Sequence, residues 1–157
     1  MSNEYISVAV RIRPVLSFEN PNQLAWDPSS FTSLTSLKTQ KTFEFDKVYG
    51  MTSTTQRIFD EMCEPRIWKA MEGFNCSIIC YGQTGSGKTF TMCGKKKSPG
   101  LIPLTIRTIF SFIEDTPSKE FLMRCSYCEV YNECINDLLN PLNCNLPLRD
   151  DKLVIGN

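Results

Sequence analysis

The sequence contains no histidine. Without an imidazole there is no His-activated nucleophile, and every metal site that needs one is excluded. Neither sign of charge dominates: seventeen basic and seventeen acidic residues leave a formal net charge of zero. That balance gives no reason to expect nucleic acid or a membrane surface as a partner. No apolar run is long enough to cross a bilayer. The first residues, Met1-Ser2-Asn3-Glu4, lack the basic-then-apolar pattern of a secretion signal, so cytoplasm or nucleus is the expected location. Internal repeats and low-complexity segments are also missing. What remains, 157 residues with 41% hydrophobic and 22% charged content, has the size and composition of one ordinary globular domain.

Eight cysteines are many for such a chain. Cys63, Cys76, Cys80, Cys93, Cys125, Cys128, Cys134 and Cys144 are scattered rather than paired as a framework. In a reducing compartment they are expected to be reduced, small and mostly buried. Cys125 and Cys128 match C-x-x-C, but within an expected strand residues three apart point to opposite faces. Core cysteines are therefore expected in preference to a zinc or redox site.

Alternation of Ile6, Val8, Val10 and Ile12 against Ser7, Ala9 and Arg11 predicts a strand over 5–12, ended by Pro14. Residues 17–42 are polar and turn-rich, with room for a short hairpin. A second strand is expected over 42–49, through Phe43, Phe45 and Val48. Ser53 and Gln56 have capping-box spacing, and Ile58, Phe59, Met62, Cys63, Ile67, Ala70 and Met71 follow at helical intervals up to Gly73. Pro65 should kink or split that helix.

The run 76–81 is almost wholly apolar without alternation, which fits a strand buried on both faces. A basic loop (Lys95, Lys96, Lys97) follows further on. Pro103 then marks a helix start, with Ile106, Ile109, Phe110 and Ile113 as the expected apolar face. A long strand is expected over 121–131 and a short element over 134–139. Strands alternate with helices, so the class is α/β.

The chemistry lies in Gly82-Gln83-Thr84-Gly85-Ser86-Gly87-Lys88-Thr89, which fits G-x-x-x-x-G-K-[ST] at every fixed position, with a strand before and a helix after. Glycines at 82, 85 and 87 let the backbone approach phosphates closely. Loop N–H groups and the following helix start concentrate positive potential there. Lys88 can reach the β- and γ-phosphates, and the Thr89 hydroxyl can ligate magnesium. The motif points to nucleotide binding but does not choose among ATPases, GTPases, kinases and helicases.

Beyond this loop, several motifs in order resemble the kinesin motor domain family. Arg11-Ile12-Arg13-Pro14 is similar to its R-x-R-P, and Phe45-Asp46-Lys47-Val48-Tyr49 to its F-D-x-V-F. Gly73-Phe74-Asn75 with Tyr81 and the phosphate loop resembles G-Y-N…Y-G-Q-T-x-S-G-K-T. Gly100-Leu101-Ile102-Pro103 resembles G-I-I-P, and Glu129-Val130-Tyr131-Asn132-Glu133 with Asp137-Leu138-Leu139 resembles E-I-Y-N-E…D-L-L. Among subfamilies the wording is most similar to the centromere-associated kinesin, CENP-E.

The resemblance implies an α/β P-loop NTPase fold with an incomplete, mainly parallel central sheet flanked by helices. It implies that 1–157 is the N-terminal portion of a motor domain binding ATP and Mg. Arg11, Arg13 and Pro14 would line the adenine pocket, with Phe90 against the base; an aromatic face and guanidinium planes suit a purine. On the residues alone, Arg11 and Arg13 read as a solvated strand edge and Phe90 as core. The basic loop at Lys95 falls where the family interrupts its nucleotide-binding helix, and reads equally as solvated or regulatory. Tyr131, Asn132 and Glu133 are expected to be structural or near the filament-facing side, and not catalytic.

The implied function is the ATP-binding part of a microtubule motor ATPase, on the cytoskeleton, spindle or kinetochore. Its partner would be tubulin, and its parent a homodimer with a coiled coil. The family's S-S-R and D-x-x-G switches, which hydrolysis needs, do not occur in this sequence, so no catalytic residue is expected within it. In the family, late strands lie between the first strand and the one before the phosphate loop. Lacking them, the chain is expected to be marginally folded, since unpaired apolar strand edges are unstable. Two alternatives stay open: a non-motile nucleotide- or partner-binding remnant without ATPase activity, and a generic P-loop nucleotide kinase, against which R-x-R-P and E-V-Y-N-E weigh.

Overall fold

In the computed structural model, which describes residues 6–148, strand β1 (Ala9–Arg11) opens the first of two units, and that unit ends at Pro117. Strands β2 (Trp26–Asp27), β3 (Ser33–Ser36) and β4 (Thr42–Glu44) follow as an antiparallel sheet, with Trp26 edge-to-face on Phe43 at 5.9 Å. Strand β5 (Lys47–Tyr49) then returns parallel to β1 in the register Ala9↔Lys47, Val10↔Val48, Arg11↔Tyr49. The α/β class holds, and among the described residues the parallel part of the sheet is this one pair.

Both expected strands are shorter than their patterns. Tyr5 lies outside the described residues, and Ile6 and Val8 are exposed. At Val8 the Asp46 carboxylate accepts the backbone N–H at 2.8 Å, which ends the ladder with a side chain. The 42–49 segment divides because its first half pairs with β3 and its second with β1. The expected hairpin in 17–42 exists, enlarged to three strands.

The helix that follows is built in three pieces: α1 (Thr55–Ile58), a π-helical turn (Phe59–Cys63) and α2 (Glu64–Met71). Its N-cap is Thr54 rather than Ser53: the Thr54 Oγ1 accepts the Arg57 N–H at 3.2 Å. Pro65 divides the helix as expected. It has no N–H to give and its ring crowds the preceding turn, so the chain widens there and the Glu64 N–H reaches back to the Phe59 carbonyl. The Arg66 guanidinium donates to the Met62 carbonyl in the same turn. Glu61 then ties the helix to β5, accepting from Tyr49 at 3.2 Å, Lys47 at 3.1 Å and Arg57 at 2.7 Å. Burial, and next the Glu61 charge, push the Tyr49 hydroxyl above its ordinary pKa, so Tyr49 stays a donor.

The core of this unit is Phe59, Cys63 and Ile67 on the helix, packed with Leu101 and Leu104 of α4 (Leu101–Glu114). Between these two helices lie α3 (Lys88–Met92) and a two-stranded hairpin, β6 (Gly94–Lys95) and β7 (Ser98–Pro99), at the expected basic loop. On α4 the buried residues are Leu101 and Leu104, while Ile106 and Phe110 of the expected apolar face are exposed and Ile109 only packs partly. The helix buries its first turn most deeply, because that turn meets the π-helical segment's side chains.

The run 76–81 departs most from expectation. It has no ladder partner among the described residues, and only Ile78 and Cys80 pack on the core. Ile79 is 83% and Tyr81 98% exposed. Between β1 and this run lies a cavity of about 250 Å³, lined by Ala9, Arg11 and Tyr49 on one side and Ile78 and Cys80 on the other. Among the described residues the two segments do not pair, as expected, and one face of an apolar run is left uncovered.

The second unit begins at Ser118. Of the expected 121–131 strand only β8 (Cys128–Tyr131) forms a ladder, antiparallel to β9 (Cys134–Asp137). Asn132 and Glu133 turn the hairpin with φ of 49° and 62°, the two positive values that a type I′ turn requires. Among the described residues, 121–127 form no ladder, apart from the Leu138 N–H donating to the Tyr127 carbonyl at 2.7 Å. Most of the cysteines are not core residues: Cys63 alone is buried, Cys80 and Cys134 are intermediate, and the other five are exposed. Among the described residues no helix is long and apolar enough to cross a membrane.

Phe59 is 2% exposed at the centre of the core, so Phe59→Ala should destabilise the chain by about 3–5 kcal/mol, enough to abolish a cooperative denaturant transition. Ile79→Ser, at an exposed position, should change the unfolding free energy by no more than about 0.5 kcal/mol.

Candidate functional site

The loop from Gly82 to Gly87 bends through three left-handed glycines, with φ of 152°, 81° and 98°. At Gly82 a side chain would be strained twice, since a Cβ there would sit 2.6 Å from the Ser86 Oγ. The loop closes on itself through the Ser86 N–H to the Gln83 carbonyl at 3.1 Å. Lys88, first residue of α3, folds back over it and donates from Nζ to the carbonyls of Gly82 at 2.7 Å and Gln83 at 2.9 Å. The ammonium is thus already held over the loop, on weak neutral acceptors that an anion would outcompete. Thr84 and Gly85 are exposed on the same rim, and exposed Thr89 follows Lys88 on the first turn of α3.

Arg11 stands behind this loop. Its Nη1 donates to the hydroxyls of Thr55 and Thr91, both at 3.0 Å, and its Nη2 to the Ser53 carbonyl at 3.4 Å. The guanidinium lies 5.2 Å from the Phe90 ring centroid, within cation–π range. Burial lowers its pKa from the ordinary value. Arg11 is therefore no solvated strand edge: it is half-buried and joins β1, α1 and α3. Lys95, from the β6–β7 hairpin, also lies over the Phe90 ring, with Nζ 5.9 Å from the centroid.

Arg13 and Pro14 are arranged differently. Arg13 grips Glu19 in a fork, Nη1 to Oε2 at 2.7 Å and Nη2 to Oε1 at 2.5 Å, and also donates to the Pro14 carbonyl at 3.1 Å. The hydrogen bonds from Arg13, then that from the Leu16 N–H, draw the Glu19 carboxyl down to about 2. Arg13 and Gln83 line a common cavity of about 610 Å³ with Phe18, Trp26 and Met51. The structure thus brings Arg11 to Phe90, and Arg13 to the far end of the phosphate loop at Gln83. Thr55, Thr91 and Glu19, which hold the two arginines, escaped the sequence reading. No spacing rule links residue 11 to residues 55 and 91, and the one available signal was the local Arg13–Glu19 charge pair.

Against known proteins, the Kinesin motor domain family model matches residues 11–155. The chain is 46% identical over 149 residues to the Kinesin-like protein KIN-7D, mitochondrial, of Arabidopsis thaliana, covering 93% of this chain and 14% of that protein. It is 43% identical over 152 residues to the Kinesin-like protein KIN-7G of Oryza sativa subsp. japonica, covering 96% of this chain and 17% of that one. A solved structure described as a fast kinesin superposes with a TM-score of 0.81 at 32% identity, over 94% of this chain and 44% of its own. The chain therefore spans less than a fifth of the length of these two curated relatives.

The Glu19 carboxyl ionises at about 2 in the folded chain, below its ordinary 4.5. A depressed carboxylate stabilises the fold above the ordinary value, and that stability is lost as pH falls toward 2. Glu19→Gln should therefore unfold at a lower temperature than the parent sequence at pH 7, and the gap should close as thermal melts are repeated down to pH 2.

Proposed function

Because this chain belongs to the kinesin motor family, we propose that it is the ATP- and magnesium-binding N-terminal portion of a microtubule motor ATPase. One observation carries the reading: three left-handed glycines shape a loop over which Lys88 is already poised at the start of α3. Such a loop surrounds a polyphosphate with N–H groups, and Lys88 exchanges two neutral carbonyls for charged phosphate oxygens. Gly82, Gln83, Thr84, Gly85, Ser86 and Gly87 supply the cradle.

Thr89 is the proposed magnesium ligand. Among the described residues no cluster of acidic or cysteine side chains could hold a metal by itself. That suits an ion held by one hydroxyl together with the phosphates and water. Magnesium held there would supply positive charge that offsets the charge of the phosphates. Phe90, with Arg11 behind it, offers the stacking surface for the base, and Arg13, which donates to the Pro14 carbonyl, borders the cavity that reaches Gln83.

Hydrolysis and movement are proposed for the parent domain, whose switches this sequence does not contain. Microtubule binding, the cytoskeletal location, a coiled coil and a homodimer rest on the family resemblance alone. The finer similarity to CENP-E, with spindle and kinetochore as its sites, has no support among the relatives above, which are KIN-7 kinesins of plants. One of these bears a mitochondrial designation.

Titration with a fluorescent ATP analogue tests the site. Lys88→Ala should weaken binding about 10- to 100-fold, the loss of a hydrogen-bonded charge. Thr89→Val should leave magnesium-free affinity intact and remove the increment that magnesium adds. Equal affinity in the parent sequence and Lys88→Ala would sink the assignment.

A further inference from the structure

We propose that Lys95 is a specificity residue of the base site, a cation that covers the Phe90 ring and must be displaced when a purine stacks there. The inference rests on the reading of Phe90 as the base-stacking surface. Two cations lie over this one ring, Arg11 at 5.2 Å and Lys95 at 5.9 Å from its centroid, and they are held very differently. Arg11 is half-buried and fixed by bonds to Thr55, Thr91 and Ser53, so moving it would strip three hydrogen bonds from a guanidinium. The Lys95 side chain is exposed and makes no hydrogen bond or ion pair among the described residues.

Its backbone is nevertheless set. Lys95 pairs with Ser98, and Gly94 with Pro99, in a short hairpin whose base is closed by the Gly100 N–H to the Cys93 carbonyl at 3.3 Å. The hairpin holds the stem of Lys95 near the ring while four rotatable bonds leave the ammonium free to swing. Phe90 itself is only partly buried, so part of its surface is open to a ligand. An incoming purine therefore exchanges with the ammonium and not with the guanidinium. The basic hairpin is then neither a plain solvated loop nor a phosphate clamp. It sets how much of the base's stacking energy reaches the measured affinity.

The test uses the full 157-residue chain with two probes, ATP and inorganic tripolyphosphate, the second having no base. Removing an exposed cation–π contact frees the ring, so Lys95→Ala should bind ATP about 2- to 5-fold more tightly. Tripolyphosphate affinity should not change. Lys95→Arg, which keeps the contact, and Lys96→Ala, which never made it, should both stay within about twofold of the parent sequence. Weaker binding of both probes to Lys95→Ala would show a phosphate contact and overturn the proposal. Unchanged or weaker ATP binding with unchanged tripolyphosphate would overturn it too, by showing that Lys95 does not compete with the base. If Lys88→Ala leaves tripolyphosphate binding unaltered, the phosphate-loop reading itself fails, a result separable from any behaviour of Lys95.

Discussion

The guanidinium of Arg11 is the point at which the first unit is held together. It collects the first strand, the start of the helix after β5 and the helix after the phosphate loop, through hydroxyls at Thr55 and Thr91 and the face of Phe90. Thr55 is 1% exposed, so its hydroxyl has no water to fall back on. A buried donor or acceptor left without its partner costs about 1–3 kcal/mol, more when charged. Each of these contacts therefore fixes the others. The placement of α3, and hence of Lys88 and Thr89 at its start, depends on a side chain seventy-seven positions upstream of Lys88.

Against that polar anchor stands an incomplete apolar one. The helices on one side of the run 76–81 give Ile78 and Cys80 a core to enter, while Ile79 and Tyr81 face outward uncovered. A strand that should be buried on both faces is thus half-satisfied, and the space between it and β1 is a cavity instead of a ladder. The phosphate loop hangs from the end of this run. Its geometry is kept by local means: glycine conformations, the Ser86–Gln83 closure and the reach of Lys88. These do not require a neighbouring strand.

Features with short-range causes were legible in the sequence. The glycine-rich loop and the break at Pro65 follow from residue chemistry within a few positions, and the α/β class from the alternation of patterns along the chain. Features that depend on what lies opposite were not. The alternation at Ile6 and Val8 signals a strand, but Asp46 ends the ladder there. The apolar stripe at Ile106 and Phe110 signals a buried face, yet the neighbours that are present meet Leu101 and Leu104 instead. The same holds for the cysteines, small and apolar enough for a core that does not extend to most of them. At the site, periodicity alone read Arg11 as a solvated strand edge and Phe90 as core; the family resemblance singled them out, and the three-dimensional arrangement shows them in contact.

The π-helical turn at Phe59–Cys63 has an effect on phase. Residues four apart on an α-helix overshoot a full turn by about 40°, so a long series with that spacing drifts around the cylinder. A wider turn advances less per residue and rotates the series back. Phe59, Cys63 and Ile67 are such a series, and all three enter the same core. The widened turn that accommodates Pro65 thus also works as a vernier. It spends one extra residue of winding to keep the inward stripe straight, so that the segment behind the phosphate loop meets a single flat wall.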